Sequence, residues 1–288
     1  MASENPVERY YDAGAQHEWE RQDRHRTVFA VTWRALDDYL PEPPAAILDI
    51  GGGPGRYSVG LARRGYAVTL FDLAHNNLAF AQARAAEAGV ELAGRAQGNA
   101  LDLSRFADAG FDAVLLMGPL YHLLELDHRR TAVREACRVL KPGGLIFASF
   151  ITRYAPLCDL ARSAPGLLLD RWGDYSRILE TGQHQVGTTG AGFTDAYFAH
   201  PSEAKPLMEE AGFASLDLIA CEGVVSMVQE QLNSLTGEVW ERWVDLNYRL
   251  GKDPSVHGTA AHLLYVGRAP DHFTGSQTVV REHRLEAQ

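Results

Sequence analysis

The segment Ile47-Leu48-Asp49-Ile50-Gly51-Gly52-Gly53-Pro54-Gly55-Arg56-Tyr57 restricts most tightly what this chain can fold into. A short apolar strand runs straight into a glycine cluster that opens a helix, the first unit of an α/β fold. The stiff connector Pro41-Glu42-Pro43-Pro44 separates that strand from what precedes it. Alternation continues for about 100 residues. Helices are predicted over 55–64, 76–88 and 128–140, and strands over 66–72, 90–97, 111–117 and 145–150, with Lys141-Pro142-Gly143-Gly144 as the turn before the last of these. Strand–helix alternation of this kind means a doubly wound, mainly parallel sheet.

Two segments interrupt the pattern afterwards. Residues 151–200 are rich in glycine and aromatics, include Gly187-Thr188-Thr189-Gly190-Ala191-Gly192, and are too long for an ordinary connection. A helix over 202–210 and a strand over 213–220 follow, and then a second insertion with Val224, Val228, Leu232, Leu235, Val239, Trp243, Leu246 and Leu250 at helical spacing, split at Gly237. A strand over 259–267 closes the fold. The N-terminal stretch 19–40 reads as one amphipathic helix through His25, Phe29, Thr32, Leu36 and Leu40. The expected organisation is an N-terminal helical cap over 1–43, a core over 44–150, a lid insertion over 151–200, the remainder of the core over 201–268 with its helical insertion at 221–258, and a polar tail over 269–288.

The glycines at 51, 53 and 55 suit a place where a ligand approaches the backbone more closely than a Cβ permits. Some 20 residues on, a second strand ends at Asp72, where a carboxylate can accept hydrogen bonds from both hydroxyls of a ribose. Together they describe a nucleoside site. A dinucleotide would bring a pyrophosphate, but Pro54 removes an N–H donor from the turn and Asp49 places an anion at its base. A sulfonium cofactor carries positive charge and an ammonium group, for which that carboxylate is a favourable partner. These residues point to S-adenosylmethionine.

The segment resembles the first motif of class I S-adenosylmethionine-dependent methyltransferases, and the similarity runs over about 45–150. It continues through Gly98-Asn99-Ala100-Leu101, through 111–118, and through Arg138-Val139-Leu140-Lys141-Pro142-Gly143-Gly144. The resemblance implies a seven-stranded sheet whose last strand is antiparallel, here 259–267, with helical cap insertions. It also implies that Asp49, Gly51, Gly53 and Gly55 line the methionine end, that Asp72 takes the ribose, and that Leu73 lies against the adenine. Asn99 and Ala100 fall beside the adenine, where Asn99 replaces the acid of many relatives and offers an amide oxygen to the adenine amino group, and Met117 and Gly118 lie at the cofactor. In similar small-molecule enzymes a segment such as Tyr10-Tyr11-Asp12 folds over the cofactor, which puts Tyr11 against the sulfonium.

In open α/β sheets ligands lie outside the C-terminal strand ends, so the methyl acceptor is expected near Pro119-Leu120-Tyr121-His122. Tyr121 and His122 are the candidate catalytic residues, with His122 as a base that titrates near neutrality. Arg153, Tyr197 and His200 are candidate substrate contacts, and the aromatics Trp172, Tyr175, Phe193, Tyr197 and Phe198 are expected to roof the pocket. The Asn/Asp-Pro-Pro-aromatic motif of amino-group methyltransferases is missing after Gly118, which favours a small-molecule acceptor at O, N or C over RNA or protein. A cofactor-binding module without catalysis is the other alternative. A formal charge of -10 repels a phosphate backbone, so no nucleic-acid partner is expected. His184, His200 and Asp195 lack ligand-type spacing, so no metal is expected. The three unclustered cysteines and the absence of an apolar run of about 18 residues point to a soluble cytoplasmic enzyme with no membrane partner, and a homodimer is left open.

Overall fold

The computed structural model describes residues 5–186 and 193–271. Its centre is a seven-stranded sheet. The strands are β1 (Ala46–Ile50), β2 (Ala67–Asp72), β3 (Gly94–Gln97), β4 (Phe111–Leu116), β5 (Leu140–Ile151), β6 (Ala214–Ala220) and β7 (His262–Arg268). They lie in the order β3-β2-β1-β4-β5-β7-β6. The first five pair in parallel, and β7 runs antiparallel to both of its neighbours. The ends of β1, β2, β4, β5 and β6 therefore share one edge with the start of β7, and that edge carries the site.

Successive strand residues face opposite sides, so a sheet covered on both faces needs continuous apolar strands. In β1, Ile47 belongs to a cluster with Val31, Leu36, Trp240 and Val244, whereas Leu48 and Ile50 join Val133, Ala136 and Met208. One face is thus covered by α3 (Arg26–Tyr39), α4 (Arg56–Arg63) and α11 (Gly237–Gly251), and the other by α6 (Leu126–Val139) and α9 (Pro201–Glu210). The remaining helices are α1 (Pro6–Asp12), α2 (Ala15–Arg24), α5 (His75–Glu87), α7 (Ala155–Ser163), α8 (Trp172–Thr181) and α10 (Gln229–Asn233). None of the described helices is long and apolar enough to cross a membrane.

Three elements differ from the sequence expectation. The single helix over 19–40 is two helices, α2 and α3, broken at His25, whose φ of -100° and ψ of 43° leave the helical region. Neither Gly nor Pro marks that break, so periodicity reads straight through it. Lys141-Pro142-Gly143-Gly144 is not a free turn but a bulge inside β5: Phe111 pairs Leu140, and the next pairing is Ala113 with Leu145. In the second insertion Gly237 does open a new helix, but the expected stripe divides, Trp240 and Val244 being buried while Val239, Trp243 and Leu246 are exposed. Ala269 is buried and donates its N–H to Gly144 O at 2.8 Å. The glycine-rich stretch 187–192 and the tail from 272 onward lie outside the described residues.

Candidate functional site

Residues of the glycine turn, the neighbouring strand ends and the N-terminal helices line one cavity of about 160 Å³. Asp49, Gly51, Gly53, Asp72, Leu73, Asn99, Ala100, Met117, Gly118, Tyr121, His122 and Tyr11 all line it, joined by Arg21. Gly53 adopts a left-handed φ of 58°, which turns its N–H onto Asp72 Oδ2 at 2.8 Å. Asp72 Oδ1 accepts from Ala74 N at 2.8 Å and from Asn77 Nδ2 at 3.1 Å. Burial pushes the Asp72 carboxyl above its ordinary value, against these three hydrogen bonds. Three of about four acceptor positions are filled, leaving room for a ligand hydroxyl. Asn77 also lines the cavity, and its buried Oδ1 has no partner.

Asp49 is buried at the end of β1, where Ser58 Oγ donates to its Oδ2 at 2.6 Å. Burial pushes its pKa from 3.8 up to about 7, the Ser58 bond opposing and the charge of Asp72 adding to the rise. A buried carboxylate with a hydroxyl partner is electrostatically incomplete and suits a cationic ligand. Arg21 was not legible in the sequence. It reaches the same cavity from α2, its Nε 2.9 Å from Glu18 Oε2 yet without hydrogen-bond geometry. Burial opposes its charge, but Tyr121, Glu18 and Tyr11 outweigh burial and hold the guanidinium protonated. Two buried carboxyl groups, Asp49 and the hydroxyl-accepting Asp72, thus share one cavity with the Arg21 guanidinium. That donor set fits S-adenosylmethionine.

Several expectations need correction. Gly55 does not line the cavity; it starts α4 at a φ of 81°, and a Cβ there would sit 2.7 Å from the Ala81 Cβ of α5. Asn99 lines the cavity, and its Oδ1 accepts from Leu101 N at 3.0 Å in a local turn, which uses one of the two lone pairs of the amide oxygen. His122 lies in the wall, but both ring nitrogens are committed, Nε2 to Tyr11 Oη at 2.7 Å and Nδ1 to Asp195 O at 3.2 Å. With Nδ1–H donating to that carbonyl, Nε2 accepts from Tyr11, and burial lowers the pKa to about 4. As placed, His122 anchors Tyr11 and is not a free base. Tyr121 Oη donates to Met117 O at 3.2 Å.

Arg153, Tyr197 and His200 are not brought to either cavity. Arg153 and Tyr197 converge on Glu203, at 2.7 and 2.5 Å, with the Arg129 guanidinium over the Tyr197 ring. His200 is the N-cap of α9 and forms a capping box with Glu203. Of the expected aromatic roof, Trp172 is 61% exposed, whereas Tyr175, Phe193 and Phe198 line a second cavity of about 470 Å³. Arg21 lines both cavities, so they adjoin. His25, His184, Glu222 and His262 belong to the polar part of the second wall, with Asp159, Arg162, Arg171 and Asp174. The sequence reading weighed only His184 among the first four, because the others lie far apart in sequence and meet only through the fold.

Comparison with known proteins bears on this geometry. Residues 48–148 match the family described as "Methyltransferase domain". The ubiquinone biosynthesis O-methyltransferase of Xylella fastidiosa is 32% identical over 67% of this chain and 72% of that protein. The protein of the same name from Methylobacterium nodulans is 41% identical over 40% of this chain, a match spanning 44% of that protein's length. Among solved structures, a SAM-dependent methyltransferase from Methanosarcina mazei superposes with a TM-score of 0.58 at 21% identity, covering 83% of this chain and 98% of that one, a likeness of fold. The strand order, the glycine turn with its acidic partner and these matches agree: the chain belongs to the class I S-adenosylmethionine-dependent methyltransferases, with S-adenosylmethionine as its cofactor.

Proposed function

We propose that this chain transfers a methyl group from S-adenosylmethionine to an oxygen atom of a small molecule held in the larger cavity. The observation that carries the reading is the shared wall: one cavity suited to the cofactor and one aromatic-lined cavity meet at Arg21 on the ligand-bearing edge of the sheet. The printed name of the relatives favours oxygen as the acceptor atom. Asp49 would face the cofactor's cationic end, Arg21 its carboxylate, and Asp72 its ribose, with Tyr11 and α1 closing over it. The bound cofactor supplies a methyl group on a cationic sulfur, open to in-line displacement.

The chain's own contribution is then placement. Holding donor and acceptor in near-attack geometry can supply up to ~7–11 kcal/mol in favourable cases. The elements that line the two cavities, α1, α2, the described residues of 151–200 and the segment 222–229, would exclude water while this happens. The acidic charge of -10 weighs against a nucleic-acid acceptor, and the free Cys137, Cys158 and Cys221 suit the cytoplasm. Calorimetric titration with S-adenosylhomocysteine and, separately, NAD tests the reading. Binding of the former alone is expected, and Asp72→Ala should weaken it by about 1.5–3 kcal/mol, the range for a hydrogen bond to a charged group. Binding of NAD, or unchanged affinity in the variant, would count against the site as assigned.

A further inference from the structure

We propose that His262, held by Glu222, is the general base that takes the proton from the acceptor hydroxyl in the larger cavity. The proposal rests on the reading of that cavity as the acceptor site. Glu222 is fully buried, and both its oxygens are used by one residue: His262 N donates to Oε2 at 2.9 Å and His262 Nδ1 lies 2.5 Å from Oε1. Nδ1–H therefore donates to the carboxylate, and the lone pair is left on Nε2. Nε2 has no protein partner among the described residues, and the ring forms part of the cavity wall. A histidine on a cavity wall, fixed in one tautomer by a buried carboxylate and with no protein partner at its basic nitrogen among the described residues, is arranged to accept a proton.

Topology explains why two residues 40 apart in sequence meet here. Glu222 follows the end of β6 and His262 begins β7, and because these strands are antiparallel both residues fall on the ligand-bearing edge. Met117 and Gly118, at the end of β4, are two strand spacings away, about 10 Å across the sheet, a gap that the His262 side chain and the cofactor's methyl-bearing end must close from opposite sides so that one acceptor oxygen meets both. Phe193, 5.4 Å from the His122 ring, walls the same cavity as His262.

The surrounding charges direct the proton to this group. His25, at the α2–α3 break, packs its ring 5.7 Å from that of His262. Burial, then His262 and Arg21, lower the pKa of His25 to about 4, so it stays neutral beside the dyad. Burial pushes the Glu222 carboxyl up, and the charge and hydrogen bonds of His262 more than offset this, holding it below its ordinary value. Arg21 faces the cavity from α2, Cys158, Asp159 and Arg162 from α7, and Asp174 from α8. Arg162 is paired with Asp159 at 2.9 Å.

The step balances. The acceptor O–H bond breaks, its proton passes to His262 Nε2, and the oxygen electron pair forms the new O–CH3 bond as the S–CH3 bond of the cofactor breaks. Its sulfur keeps that electron pair and becomes a neutral thioether. Glu222 offsets the imidazolium, which then returns its proton to water. The tyrosine, phenylalanines and isoleucines of the wall suit an aromatic hydroxyl compound.

The test needs no turnover. The probe is 4-nitrophenol, added to the full-length protein at a pH where the free probe is mostly neutral. Bound probe should show the phenolate absorbance band, and His262→Gln and Glu222→Gln should each lose at least tenfold of that signal while S-adenosylhomocysteine affinity stays within about twofold. In the unaltered chain, 4-nitrophenol should also protect His262 from ethoxyformylation by diethyl pyrocarbonate, read by mass spectrometry, and leave the exposed His128 reactive. Absence of a bound phenolate band, an equal band in His262→Gln, or no protection of His262 overturns the proposal. Failure of the unaltered chain to bind S-adenosylhomocysteine would instead overturn the methyltransferase reading beneath it.

Discussion

Asp49 gathers the energetic tension of the cofactor cavity in one side chain. Buried and bonded to Ser58, it has a pKa raised from 3.8 to about 7. The raised value means that the folded chain holds the proton more tightly than the unfolded chain. Its contribution to stability is therefore present below about pH 4 and lost as pH rises through about 7. Cofactor binding should run the other way, since a cation is taken up by the carboxylate and not by the acid. S-adenosylhomocysteine is expected to bind more tightly as pH rises from about 6 to about 8, and Asp49→Asn should flatten that dependence while removing the loss of thermal stability over the same range. A variant that keeps the parent's binding slope would show that Asp49 is not the titrating group. At this scale the residues following strand ends were legible, because strand, turn and acid stand close together in sequence. Arg21, His25, Glu222 and His262 were not, because Arg21 and His25 stand in the polar run 20–26 that reads as a solvated helix face, while Glu222 and His262 are lone polar residues 40 apart that only the antiparallel strands bring together.

At the scale of elements, a residue's place in a helix cap decides between a binding role and a structural one. His200 looked available, at the end of a long insertion and before Pro201. Its ring instead bonds Ser202 at the start of α9, and Glu203 closes the capping box and receives Arg153 and Tyr197. The whole trio of expected substrate contacts is thus consumed in fastening α9 to the segments before it. His200→Ala is expected to lower stability by about 1 kcal/mol, the usual value of an N-cap, with cofactor affinity unchanged. Denaturant titration and calorimetry of the same variant separate the two effects, and weakened cofactor binding at full stability would restore a ligand role. The capping signal His-Pro-Ser-Glu was present in the sequence, but histidine is not among the common cap residues. The α2–α3 break and the β5 bulge escaped for a related reason, the first having no breaker residue at His25 and the second being set by pairing to β4 on either side of 141–144, at Leu140 and Leu145.

For the whole molecule, the mainly parallel sheet was legible and the closure over it was not. Apolar strands with helices between them point to parallel pairing, the resemblance implied the antiparallel last strand, and the order β3-β2-β1-β4-β5-β7-β6 agrees with both. The N-terminal helices α1 and α2 are held differently, by polar ties to the core such as Tyr11 to His122, Asp12 to Asn76 at 2.9 Å and Arg56 to Trp19 O at 2.7 Å, and by Trp19 against Phe80. Elements fastened by few contacts open at lower free energy than the sheet. A ligand lying between cap and core should therefore stabilise the cap first. S-adenosylhomocysteine at a hundredfold its Kd stabilises the fold by about 2.7 kcal/mol. Amide hydrogen exchange is expected to slow most in α1 and α2 on binding, and least in α11, which packs on the sheet face away from α6 and does not line the cofactor cavity. Equal slowing in α1 and α11 would mean that the N-terminal helices are already as firmly held as the core, and that the cofactor enters without displacing them.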